Sequence, residues 1–156
     1  PSLEVLEIQV GMNPPDITRI GESASLRHLG LLTLTSQIGN TVFPSLSFLK
    51  TMPSLDSLVL SSVASAEGSI DDLIEIPSLK RLWVSPHLFS TEDYAKFEAL
   101  RFKIFDEYGI FKSEREESAI EDMRPLGRGK RWFKNEQSKE KFSRLYKSMM
   151  DSFREG

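Results

Sequence analysis

Apolar positions recur in one spacing along most of the chain. In the segment from Pro53 to Leu60, leucines stand at 55, 58 and 60 with Asp56, Ser57 and Val59 between them. The same Leu-x-x-Leu-x-Leu spacing returns at Leu3, Leu6 and Ile8 and again at Leu79, Leu82 and Val84. Alternation over the last positions of each copy predicts a short strand with one face buried. A further copy can be aligned as Leu26, Leu29, Leu31 or as Leu29, Leu32, Leu34. We take the second alignment, which spaces the leading leucines at 3, 29, 55 and 79 and sets Thr35-Ser36 beside Ser61-Ser62. It turns Leu32 and Leu34 inward and Thr33 and Thr35 outward, and a slip of one residue would exchange the two sets.

The intervening segments predict returns along the outer side. Pro14 and Pro15 end the first strand, because neither can donate to a ladder. Asp16 then suits a helix start, with Ile17, Ile20 and Ala24 at helical spacing. Phe43, Leu46, Leu49 and Met52 predict a second helical segment. The run from Ser61 to Ser69 reads as a small-residue loop with little to bury, and Asp71 or Asp72 as the cap of a turn holding Leu73, Ile74 and Ile76. Ser90 and Asp93 form a capping box for a helix reaching about Leu100. Phe102 and Ile104 predict a fifth, divergent strand, after which the repeats stop.

Residues 106–156 differ in character. Tyr108, Ile110 and Phe111 precede the charge run Glu114 to Glu117, expected to be a solvated loop or helix face. Gly127 and Gly129 mark a turn, with Lys130 to Phe133 a short strand after it. From the N-cap Asn135, Phe142, Leu145, Tyr146, Met149 and Phe153 share one face of a long amphipathic helix, expected to cap a core. The organisation predicted is thus a repeat region over 1–105 and a capping extension over 106–156.

Composition narrows the classes. The 156 residues include no cysteine, which excludes disulfides and thiolate chemistry and suits a reducing, cytoplasmic setting. No apolar run approaches a membrane span, so no membrane partner is expected. The net charge of −3 is unevenly spread: residues 1–64 carry −2, residues 65–123 carry −7 and residues 124–156 carry +6. Either the basic end packs on the acidic middle or it meets an acidic partner. The chain also opens directly on a repeat without a cap, as the C-terminal part of a longer protein would.

Catalytic patterns are wanting. His28 and His87 lack a second metal ligand at helical spacing, no serine lies in a nucleophile elbow, and no cofactor or metal is expected. Gly127-Arg128-Gly129-Lys130 fails the phosphate-loop spacing, since Arg131 follows the lysine. Arg128, Lys130, Arg131 and Lys134 around Trp132 and Phe133 form a candidate basic patch. It would bind single-stranded nucleic acid by phosphate contact and stacking, though the acidic overall balance opposes this.

The recurring spacing over residues 1–105 resembles the leucine-rich repeat family, although the asparagine that usually follows is replaced by Ser36, Ser62 and Pro86. The resemblance implies an α/β solenoid, with parallel strands on a concave face, helices or turns outside, and here a C-terminal α+β cap. It also implies that residues between the strand leucines line the concave face and bind a protein partner. Carried onto this sequence they are Val5, Glu7 and Gln9; Leu31, Thr33 and Thr35; Ser57, Val59 and Ser61; Arg81, Trp83 and Ser85. Trp83 and Arg81 are of the types that dominate interface energetics, unless Trp83 is covered by the C-terminal helix. The tail is loosely similar to C-terminal extensions of bacterial repeat proteins, some of which accompany toxins as immunity factors. The function expected is non-enzymatic protein recognition, of an immunity or regulatory kind. The rival is a nucleic-acid-binding or enzymatic unit in residues 106–156, targeted by the repeats.

Overall fold

The computed structural model describes residues 2–11, 13–33, 40–105, 108–112, 123–129 and 132–156. It comprises two compact units, Pro1–Leu88 and Phe89–Gly156.

The first unit is built on four parallel strands: β1 (Val5–Val10), β2 (His28–Thr33), β4 (Ser57–Ser61) and β6 (Arg81–Val84), in the order β1-β2-β4-β6. Leu6, Leu29, Leu58 and Leu82 stand side by side across the sheet, and Ile8, Leu31, Leu60 and Val84 form the next row. Both rows point into the interior, where Leu29, Leu31, Leu58 and Leu60 are fully buried. The alignment of the second copy therefore has to be corrected: Leu26, Leu29 and Leu31 take the places of Leu55, Leu58 and Leu60, and Leu32 lies on the opposite face.

The physical reason is visible one residue before each leading leucine. Ser25 donates its hydroxyl to the Leu3 carbonyl at 2.8 Å, Ser54 to Ala24 at 2.7 Å, and Ser78 to Leu55 at 2.8 Å. Ser2, Ser25, Ser54 and Ser78 thus hold one position in all four copies, and each of the last three ties its rung to the rung before. Backbone amides repeat the tie, from Arg27 to Glu4, from Asp56 to Arg27 and from Lys80 to Asp56.

The outer returns are tighter than predicted. Asp16 accepts from the amide and hydroxyl of Thr18, and a 3₁₀ turn follows at Thr18–Glu22. A second 3₁₀ turn occupies Ser47–Thr51, with Leu46, Leu49 and Met52 buried as their spacing required. The two turns touch at Gly21, where an added Cβ would lie 2.8 Å from the Phe48 carbonyl oxygen. Phe43 belongs not to that turn but to β3 (Thr41–Phe43), which pairs in parallel with β5 (Val63–Ser65). The Ser61–Ser69 loop is thus a correction too. Ser62, at φ 53°, redirects the chain so that Val63, Ala64 and Ser65 enter the interior, where small side chains fit. The short helix α1 (Asp71–Ile74) has no side-chain cap, because its N-cap residue is Ile70; Asp72, inside the first turn, meets Lys50 at 2.8 Å.

The second unit contains α2 (Thr91–Leu100), the antiparallel pair β7 (Ile110–Lys112) and β8 (Met123–Pro125), and α3 (Glu136–Glu155). Both predicted helix starts occur, with reciprocal capping at Ser90/Asp93 and at Asn135/Ser138. Helix α3 packs against α2 with Tyr146 and Met150 buried, while Leu145 lies outside the stripe and is exposed. Gly109 is at φ +64° with the Tyr146 ring 2.4 Å from where a Cβ would stand, so only glycine fits there. No fifth strand forms at Phe102 and Ile104. The Ile104 and Phe105 amides are instead directed to the Glu98 carboxylate, at 2.8 and 3.0 Å. Gly127 and Gly129 adopt the positive φ expected of a turn, but the strand lies before it, at β8. The charge run at 114–117 falls outside the described residues.

Candidate functional site

Period-2 alternation leaves one face of the four-stranded sheet open. Its rows follow from the pairing: Val5, His28, Ser57, Arg81; then Glu7, Gly30, Val59, Trp83; then Gln9, Leu32, Ser61. Twelve residues were assigned to such a face, and eight of them stand on it: Val5, Glu7, Gln9, Ser57, Val59, Ser61, Arg81 and Trp83, of which Ser57 is buried. Thr33 does not. It pairs with the buried Val10, and its hydroxyl donates to the Ser62 carbonyl at 2.8 Å. Ser85 is buried, and its Oγ accepts from the Ser62 amide at 3.0 Å, holding the redirected chain in place. Thr35 lies outside the described residues. Leu31, aligned with this face in the sequence reading, is in the core, and His28, Gly30 and Leu32 take the places given to Leu31, Thr33 and Thr35.

The corrected alignment exposes a charge pattern that sequence reasoning missed. At the position after each leading leucine stand Glu4, Arg27, Asp56 and Lys80, alternating in sign from rung to rung. Asp56 is gripped from both sides, by Arg27 Nη2 at 2.9 Å and by Arg81 Nη2 at 3.0 Å. Hydrogen bonds from Arg27 and then Arg81 hold its carboxyl below the usual aspartate range, and the Asp56 bond raises Arg27 in turn. A groove of about 420 Å³ runs alongside, lined by Glu4, Arg27, Asp56, Lys80 and the serines that tie the rungs. The signal that could have revealed it was the pair Ser25-Leu26, matching Ser2-Leu3, Ser54-Leu55 and Ser78-Leu79.

On the open face, Trp83 is 44% exposed, at the end of a row that contains Val59. Arg81, two residues before it, donates to Asp56 Oδ1 at 3.0 Å. His28 bridges the next rungs, with Nδ1 3.0 Å from Ser57 Oγ and Nε2 3.5 Å from Glu7 Oε1. Glu7 reaches across Gly30, where any side chain would crowd its Cγ at 3.0 Å. The result is a face with Glu7 and Gln9 on β1 and Trp83 on β6. It can present a ring and a guanidinium together.

A separate apolar depression of about 270 Å³ lies among the outer returns, between Pro14, Pro15, Ile17, Phe43, Pro44 and Phe48. The two proline-bearing turns, adjacent in successive rungs, form its walls.

No family model, curated protein or solved structure matches the chain. Among the described residues, no helix is long and apolar enough to cross a membrane, and no group of three or more acidic or histidine side chains is placed to hold a metal ion.

The candidate basic patch is only partly placed. Arg128 and Lys134 are exposed, while Lys130 and Arg131 lie outside the described residues. Trp132 is also exposed, but the Arg124 guanidinium lies 5.4 Å from its ring centre. That face of the indole is accordingly engaged by a cation within the chain.

Proposed function

We propose that this protein is a non-enzymatic recognition module of the leucine-rich repeat type, in which a protein partner is bound over the open face of the sheet. On this reading the four rungs are solenoid repeats, and the second unit is the end-piece that follows them. One observation carries it: Trp83 stands exposed in line with Val59, beside an arginine already oriented by Asp56. A half-exposed indole on a rigid strand loses little conformational freedom on binding, and a braced guanidinium keeps donors aimed outward. Both are properties of side chains that dominate binding energy. Ser61, Gln9 and Glu7 around them supply the polar margin that such contacts use. An immunity-type or regulatory role is compatible with a surface of this kind.

The test is a comparison of partners recovered from the native cell extract. Replacing Trp83 and Arg81 together by alanine is expected to weaken the authentic partner by about thirtyfold or more, as the loss of two central anchors does. If every recovered partner binds the double variant with unchanged affinity, the open face is not the binding surface.

A further inference from the structure

Where the strands begin, one carboxylate serves two guanidiniums. Asp56 accepts from Arg27 through Oδ2 at 2.9 Å and from Arg81 through Oδ1 at 3.0 Å. Its side chain is 13% exposed, against 61% for Arg27 and 72% for Arg81. Each guanidinium commits one N–H to Asp56, and its other donors meet no side-chain acceptor among the described residues. Lys80, exposed beside Arg81 in the chain, forms no ion pair among the described residues either. Three cations thus share one mostly enclosed carboxylate, and a depression of about 300 Å³ opens between Arg27, His28, Asp56 and Arg81. Glu4 also lines it and Glu7 stands beyond His28, but both belong to the β1 side of the sheet. Strand β6 lies three strand spacings from β1, about 14 Å, so the positive excess is greatest toward Arg81.

From this imbalance we infer that the partner of the open face presents an acidic side chain to Arg27 and Arg81, carried on an extended segment with an aromatic residue two positions further on that meets Trp83. The inference rests on the reading of that face as the protein-binding surface and names the chemistry it selects.

Two features select it. Guanidinium groups match a carboxylate with paired donors, and two of them sharing one internal carboxylate retain donors and charge for a second. The other feature is spacing. Arg81 and Trp83 are two residues apart on β6, so both stand on the open face, about 6.8 Å from each other along the strand. An extended partner segment has the same repeat, which brings an acid and an aromatic residue two positions apart over Arg81 and Trp83 together. Val59, beside Trp83 in its row, widens the apolar end of the contact.

The probe is the acetylated and amidated peptide Ser-Glu-Ser-Phe-Ser, titrated into the isotope-labelled whole chain and followed by NMR. It is expected to shift the Nε–H signals of Arg27 and Arg81 together with the indole N–H of Trp83. Replacing the peptide glutamate by glutamine should weaken binding about tenfold, as the loss of a charge-assisted pair does. Arg27→Gln should weaken the glutamate peptide by a similar factor and the glutamine peptide by much less, because the two changes remove one contact. Lys141→Gln, which removes a positive charge on α3, should change neither. The inference is overturned if the two peptides bind equally or if the Arg27 and Arg81 signals stay in place throughout the titration. A Trp83 shift that is the same with both peptides overturns it too, while leaving the open face as a binding surface. That wider reading falls only if the Trp83 and Arg81 double variant keeps every partner from the extract.

Discussion

Glu98 shows what one buried side chain can demand of its surroundings. It is almost wholly enclosed, and it accepts from the Ile104 amide, the Phe105 amide and the Tyr146 hydroxyl, the last at 3.1 Å. Burial raises its pKa above the ordinary glutamate value, and the three hydrogen bonds offset this only in part. Burial also raises Tyr146, with the adjoining carboxylate adding to the effect, so the phenol remains a donor at neutral pH. Because the folded value exceeds the unfolded one, the protonated carboxyl favours folding. Its contribution is full below the unfolded value near 4.5 and declines as pH rises through the folded value. Glu98→Gln keeps an acceptor and removes the titration. Urea melts should therefore show wild type losing stability relative to Glu98→Gln as pH climbs from about 4.5 toward neutrality, as linkage requires. Glu98→Ala leaves three donors without their acceptor and should cost about 3 kcal/mol or more. A wild-type advantage that grows with pH would contradict this account of the site.

At the scale of the element, hydrogen bonds between rungs matter as much as leucines within them. Ser54→Ala and Ser78→Ala each remove a tie to the preceding rung and should each lower stability by about 1 kcal/mol in urea titration. Ser2→Ala removes no such tie and should be close to neutral; an equal loss at Ser2 would contradict the assignment. The same serines explain what was legible in the sequence and what was not. Strands β1, β4 and β6 were readable because a Leu-x-x-Leu opening fits each in one place, and Val5, Val59 or Trp83 is the single apolar residue at the other parity. In β2, Leu29, Leu31 and Leu32 offer apolar residues at both parities, so periodicity alone could not choose. The serine at Ser25 and the charge at Arg27 chose. Helices α2 and α3 were readable from caps, since capping is local chemistry. The β3–β5 pair was not, because Val63 to Ser65 carry too little side chain to announce a strand. Nor was the failed strand at 102–105, whose amides are claimed by Glu98, a residue that sequence spacing marks only as one more helical acid.

For the whole molecule, the choice of alignment decides which side chains the open face carries. A ladder through Leu29 and Leu31 leaves His28, Gly30 and Leu32 on the open face and sets Val59 and Trp83 in one row with Gly30 and Glu7. A ladder through Leu32 would place Leu31 and Thr33 there instead and break both the serine and the charge series. Eight of the twelve residues assigned to the face stand on it under the observed alignment, because β1, β4 and β6 were aligned correctly from the start. Of the residues misplaced, Leu31 lies in the core, and Thr33 and Ser85 sit where the chain leaves the sheet and turns toward Ser62. The most direct measurement is a pair of urea melts on neighbouring substitutions. Leu31→Ala should cost about 3 kcal/mol, as emptying a filled core position does, and Leu32→Ala about 1 kcal/mol or less. Equal losses, or a greater loss at Leu32, would show that the rungs are not aligned as described and that the proposed face is not the one the protein presents.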